Sequence, residues 1–127
     1  DDPDRPTLME NLIAATGATP ISHPLHLLCC GKACMNESMP ADMMFDLLTS
    51  VDESGADCLG LICPTCFDQF DLGQIKIGRS FKRKFDIPVL YYFQLLGLAQ
   101  GFKETELGLH YHKIKPDKVL SRFPQPA

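Results

Sequence analysis

Residues 57–77 read Asp57-Cys58-Leu59-Gly60-Leu61-Ile62-Cys63-Pro64-Thr65-Cys66-Phe67-Asp68-Gln69-Phe70-Asp71-Leu72-Gly73-Gln74-Ile75-Lys76-Ile77, and their character changes midway. Cys58 to Ile62 is a short, nearly continuous apolar run, which fits a strand buried on both faces. Pro64 directly after Cys63 suits a first helical position, where a missing N–H is no loss. Phe67, Phe70, Asp71 and Gln74 continue that helix to about Ile77. A strand therefore delivers the pair Cys63-x-x-Cys66 onto the first turn of a helix.

Working outward, Ile87-Pro88-Val89-Leu90-Tyr91-Tyr92 predicts a further strand, and Phe93, Leu95, Leu96, Leu98 and Ala99 have helical spacing up to Gly101. The tail from Leu107 to Phe123 holds a short helix over Pro116 to Arg122, and Phe123 to Ala127 reads as a frayed end. Upstream, Met43, Met44, Leu47, Leu48 and Val51 recur at three and four residues, so a helix is expected from Pro40 to a stop at Gly55. Before it, Thr19 to His23 looks extended, and the apolar Leu25 to Leu28 runs into Cys29-Cys30-Gly31, placing that doublet at a strand end. Pro6 to Thr16 spaces Leu8, Leu12, Ile13 and Ala15 as a helix, with Gly17 just past it.

Alternating strands and helices imply an α/β fold: one domain over residues 1–127, three-layer, with a mostly parallel sheet and helices on both faces. Sites in such folds form beyond the carboxyl ends of the strands. Both cysteine groups fall at that edge, so one shared site is expected despite their separation in sequence.

Composition removes other classes. Twelve Lys and Arg against 16 Asp and Glu leave a net charge of −4, so there is no overall electrostatic footprint for nucleic acid. The cluster Lys82-Arg83-Lys84 reads as a solvated face. No apolar run reaches the roughly 18 residues a membrane span needs, and the acidic Asp1-Asp2-Pro3-Asp4 is unlike a signal peptide. Six cysteines are more than average, but an adjacent pair plus a CxxC is better metal-site than disulfide material, which favours a reducing, cytoplasmic compartment.

Three chemistries compete for these thiols. Cys63-Pro64-Thr65-Cys66 alone suits a thioredoxin-like redox pair, its thiolate held at a helix N-terminus. Zinc takes four ligands in a tetrahedron, usually from two CxxC knuckles, and adjacent cysteines reach one small ion only through an awkward turn. A multinuclear cluster offers each thiolate a different iron, so the doublet favours iron and sulfur, with Gly31 letting N–H groups approach sulfide. Cys34 reads as a loop thiol close enough to substitute as a ligand, and Cys58 as core. His23, His26, His110 and His112 read as surface or hydrogen-bonded groups, although a zinc site could recruit one, and an extended His110-Tyr111-His112 would put two on one face. Met35, Met39, Met43 and Met44 read as helix packing, and Asp52-Glu53 as a solvated turn. No Ser-His-Asp order, phosphate loop or His-Glu-x-x-His motif is present.

The doublet with Gly31, the Cys63-x-x-Cys66 pair with Gln74, the run Ile87 to Gly101 containing Gln94-Leu95-Leu96-Gly97-Leu98-Ala99, and Leu107-Gly108-Leu109 together resemble the C-terminal cysteine-rich CCG domain of the heterodisulfide reductase B subunit. That domain also occurs in iron–sulfur subunits of succinate or fumarate reductases and of glycolate and lactate oxidation systems. The resemblance covers essentially the whole chain. It implies a noncubane four-iron four-sulfur cluster on Cys29, Cys30, Cys63 and Cys66; Cys34 departs from the family pattern, which more often has small residues there, and stands near enough to the doublet to substitute as a ligand. It also implies disulfide or thiol reduction, or electron transfer, within an oxidoreductase complex whose partners are flavoprotein and iron–sulfur subunits.

The family pattern has another cysteine before the doublet, and this sequence has none before Cys29 and no initiator Met. The chain is therefore expected to be the later portion of a longer subunit, inactive by itself. Its site would then be loaded with a cluster, filled with zinc or metal-free. The alternatives are a zinc-binding docking module using Cys34, and a cluster-free thiol oxidoreductase using Cys63 and Cys66.

Overall fold

The computed structural model describes residues 1–32 and 38–123, without the side chains of 38–40. Cys34 and Met35 and the end of the chain at 124–127 lie outside the described residues, as does the packing of Met39. The described elements run α1 (Leu8–Ala15), α2 (Ser38–Glu53), β1 (Leu59–Leu61), α3 (Pro64–Ser80), β2 (Val89–Tyr91), α4 (Tyr92–Ala99), a 3-10 turn at Leu109–Tyr111 and α5 (Asp117–Leu120).

This is a mixed α/β fold built on one crossover. β1 pairs in parallel with β2, Leu59 opposite Val89 and Leu61 opposite Tyr91, and α3 connects them. A parallel pair needs such a crossover because its strands start at the same end. β2 faces two cores. Val89 is fully buried with Met44, Leu47, Leu48 and Val51 of α2 and Phe70 and Ile77 of α3. Its neighbour Leu90 is buried with Leu98 of α4, Leu109 and Val119 of α5. Successive side chains in a strand point to opposite faces, so two consecutive residues hold two separate clusters together.

The sheet is shorter than the sequence pattern implies. Among the described residues it has two strands of three residues, and the strand expected before Cys29 is absent. Leu25–Leu28 is turn instead: His26 N–H donates to the His23 carbonyl at 3.2 Å and Leu28 N–H to Leu25 at 3.0 Å. These local bonds close the backbone on itself after Pro24, so no ladder forms, and Leu27 and Leu28 stay exposed. Pro88 holds β2 to a late start, and α4 begins at Tyr92, one residue earlier than the apolar spacing suggests. The last helix is only Asp117–Leu120. His110 and His112 do not share an extended face, because the 3-10 turn leaves His110 exposed and buries His112.

Three buried or half-buried polar side chains fasten the irregular segments. Gln74 of α3 donates to the Ile87 carbonyl at 2.7 Å and accepts its N–H at 3.0 Å, pinning the approach to β2. Asp71 accepts N–H groups of Lys113 and Ile114 at 2.8 and 3.0 Å. Gln94 accepts the Tyr91 N–H and donates to the Leu107 carbonyl, both at 3.0 Å. Each side chain satisfies backbone groups that would otherwise need a strand neighbour.

The basic cluster is only partly a solvated face. Arg83 is half-buried, reaches Asp52 at 3.0 Å and Thr49 at 3.2 Å, and lies 5.0 Å from the Phe85 ring. Asp52 and Glu53 accordingly end α2 and do not form a free turn. The turn after α3 is tight: a Cβ on Gly78 would lie 2.6 Å from the Arg83 carbonyl oxygen. Gly78→Ala is expected to destabilise the fold by about 1–3 kcal/mol, the overpacking cost exceeding the ~1 kcal/mol gained in helix propensity. A denaturant midpoint equal to or above wild type would contradict this.

Candidate metal centre

β1 ends at Leu61, and two residues later Cys63 takes the N-cap position of α3 with φ −93° and ψ 125°, followed by Pro64 inside the first turn. This is the strand-to-helix junction that the sequence places there. The Cys63 thiol is exposed, and the N–H groups of Cys66 and then Thr65 lower its pKa below the ordinary thiol value. These are donors that a helix leaves unpaired at its start. Cys66, one turn along, faces inward. Burial, and then its contact with the Cys30 thiol and with Cys63, pushes it up to about 12.

Cys30 is 4% exposed and lies against the first turns of α3. Two contacts hold the doublet loop there: Gln69 donates to the Cys30 carbonyl at 3.3 Å, and Lys32 lies 3.6 Å from Asp68. Gly31, at φ +80°, follows, and its N–H donates to the Cys29 sulfur at 3.5 Å. Cys29 is exposed. The fold thus brings Cys30, Cys63 and Cys66 together, while Cys29, next to Cys30 in the chain, is exposed.

Other candidates go elsewhere. Cys58 packs against the second cluster, and its thiol is raised to about 11 by burial and then by Asp57, as expected of a core residue. His23 bonds Ser50 at 2.9 Å and His26 bonds the His23 carbonyl at 2.9 Å, on the outer side of α2. Among the described residues no group of three or more His, Cys, Asp or Glu side chains is placed so as to hold a metal ion.

Behind the cysteines stands an aromatic wall that the sequence pattern does not announce. Phe67 stacks on Tyr91 with centroids 4.8 Å apart and meets the His112 ring edge-on at 4.7 Å. The Tyr91 phenol is raised by burial, then by Cys63 and Asp68. Period two points to this side of β2 for Tyr91, but nothing in the spacing places His112 beside it. The donor set suits iron and sulfide: soft thiols on converging elements, and backbone N–H groups aimed at sulfur from Gly31 and the start of α3.

The chain is similar to known proteins. A family model described as CCG, cysteine-rich domain, matches residues 2–71, which include both cysteine groups. The chain is 34% identical over 126 residues to the B subunit of the ferredoxin:CoB-CoM heterodisulfide reductase of Methanosarcina mazei, covering 96% of this chain and 42% of the relative. It is 34% identical over 116 residues to the 8-methylmenaquinol:fumarate reductase membrane anchor subunit of Wolinella succinogenes, covering 90% and 41%. A protein of Archaeoglobus profundus described as like the heterodisulfide reductase B subunit is 29% identical, covering 80% and 36%. The chain therefore spans about two-fifths of the length of these relatives. Among the described residues no helix is long and apolar enough to cross a membrane.

Proposed function

From the premise that this chain belongs to the CCG family of cysteine-rich domains, we propose that residues 1–127 are one iron–sulfur redox domain of a protein like the heterodisulfide reductase B subunit. Cys29, Cys30, Cys63 and Cys66 hold the cluster, a noncubane four-iron four-sulfur centre. The observation that carries this reading is the convergence of Cys30, Cys63 and Cys66 at the carboxyl end of β1, with the doublet loop tied to α3 through Gln69. The domain is a three-layer α/β unit, with Cys63 and Cys66 just past the carboxyl end of β1 and the doublet brought to them by its loop.

When bound, the cluster supplies electrons one at a time to a disulfide or to an acceptor. The protein's own residues do the rest. Cys30 and Cys66 anchor it from the buried side, while Cys29 and Cys63 face the exposed side. The N–H groups at the start of α3 and at Gly31 offset negative charge on sulfur, and the Phe67–Tyr91 wall limits water on the inner side. Such a domain works in the cytoplasm within an oxidoreductase complex, receiving electrons from flavoprotein and iron–sulfur subunits.

The test uses the full-length protein encoded by the gene. Anaerobic reconstitution with ferrous iron and sulfide is expected to give comparable amounts of bound iron and acid-labile sulfide and a reducible visible absorbance. A well-folded protein that takes up neither would sink the proposal. Zinc retained without sulfide, and lost on Cys34→Ser, would establish a structural zinc module in its place.

A further inference from the structure

His112 is 4% exposed, and its hydrogen bonding fixes its tautomer. The Gln94 amide is oriented by two backbone groups: its oxygen accepts the Tyr91 N–H, and its nitrogen donates to the Leu107 carbonyl. The same nitrogen lies 3.0 Å from His112 Nε2. Two atoms in a hydrogen bond cannot both donate, so Nε2 is the acceptor and the neutral ring carries its proton on Nδ1. Nδ1 has no well-formed hydrogen bond, although the Val89 backbone approaches the ring.

A proton added to His112 must go on Nε2, where it meets the Gln94 NH2. Turning the amide over relieves that clash but sets its oxygen against the Leu107 carbonyl and its NH2 against the Tyr91 N–H. No orientation of Gln94 satisfies all three partners. Tyr91 ends β2 and is the N-cap of α4, and its ring stacks on Phe67, the residue after Cys66. We propose that His112 is a positioning residue that holds the cysteine edge through Gln94 and Tyr91 while neutral, and releases that edge when protonated.

The charged groups that bear on the ring are Asp71 from α3, which favours the proton, and Lys115 from the segment before α5, which opposes it. The Asp71 carboxylate accepts two backbone N–H groups, from Lys113 and Ile114, and bears on the ring through its charge. β2 contributes the Val89 backbone and, across Phe67, the Tyr91 phenol, while α4 contributes the uncharged Gln94 amide. Burial prevails and lowers the His112 pKa, so the proton arrives only below the ordinary histidine range. The purpose assigned to the lock, release of ligand-bearing elements in acid, rests on the metal-centre reading; the lock itself does not.

The experiment follows the His112 ring and Tyr91 amide resonances of the reduced, metal-free protein by NMR from pH 8 to 4. Both signals are expected to move with one midpoint, below the ordinary histidine value of about 6.5. His112→Phe keeps a ring against Phe67 and should abolish the Tyr91 titration while circular dichroism stays unchanged. Titration of His112 without movement of Tyr91, persistence of the Tyr91 transition in the variant, or global unfolding before either signal moves would overturn the proposal. Should the variant not fold, the two wild-type midpoints still decide. None of these results bears on cluster binding, which is read separately from iron and sulfide.

Discussion

At pH 7 the reduced, metal-free protein is expected to react with iodoacetamide first at Cys63, with Cys66 lagging about 30- to 100-fold behind an ordinary thiol. A thiol raised from 9.0 to about 12 carries roughly a thousandth of the ordinary thiolate fraction at that pH. Nucleophilicity rises with basicity and recovers about one to one and a half decades, which leaves that lag. Cys58, raised to about 11 and half-buried, serves as an internal comparator and should also be slow. Cys63 departs in the other direction, since its thiolate is exposed and faces the donors at the start of α3. Raising the pH should speed Cys66 close to tenfold per unit, whereas Cys63 should level off earlier. Tandem mass spectrometry distinguishes the two on one peptide. Equal rates at Cys63 and Cys66 would show that the inward placement of Cys66 beside Cys30 is wrong. In the loaded protein the lead of Cys63 should vanish, because a thiolate bonded to metal no longer reacts as a free one.

How much of this was legible in the sequence follows from which forces are local. The strand-to-helix junction at Cys63 was readable because a buried apolar run, a proline and helical spacing act over a few residues. The ends of α2 and α3 drifted by two or three residues, since fraying and tertiary contacts decide the last turn. Leu25–Leu28 misled because an apolar run reads as strand whenever a ladder partner exists, and the sequence does not reveal that none does. The doublet and the CxxC were each visible, yet their meeting depends on Gln69 reaching the Cys30 carbonyl across 39 residues. The same holds for His112, whose neighbours come from α3, β2 and α4. Glutamine is a common surface residue, so Gln69, Gln74 and Gln94 carry no signal by type. Their placement on helix faces that otherwise bury Phe70, Ile77 and Leu98 is what gives them their roles.

Gln74→Leu should lower the stability of the fold by about 2–4 kcal/mol. Gln74 is fully buried, and its amide meets both polar groups of Ile87, at 2.7 and 3.0 Å. Its third bond, to the Phe70 carbonyl at 2.8 Å, is less critical, because that oxygen lies inside α3 where the helical N–H also reaches. Leucine fits the volume but takes the amide away from the buried Ile87 N–H and C=O, at about 1–3 kcal/mol each, offset in part by no longer burying an amide. Gln74→Glu separates hydrogen bonding from shape. The protonated acid donates to the Ile87 carbonyl and accepts its N–H, so near pH 4 this variant should approach wild type. In the fold a buried carboxyl has its pKa raised, so the native state keeps a proton that the unfolded chain gives up near pH ~4.3. The unfolded state then binds fewer protons, and stability falls by about 1.4 kcal/mol per pH unit above that point until the folded pKa is reached. Urea denaturation at pH 4, 5.5 and 7 reads this slope directly. A pH-independent Gln74→Glu variant would mean that water enters beside Ile87 and that Gln74 is not the strand substitute proposed for it. A steep slope would show that one side chain of α3 closes the approach to β2, and through Val89 and Tyr91 keeps the carboxyl edge where the cysteines meet.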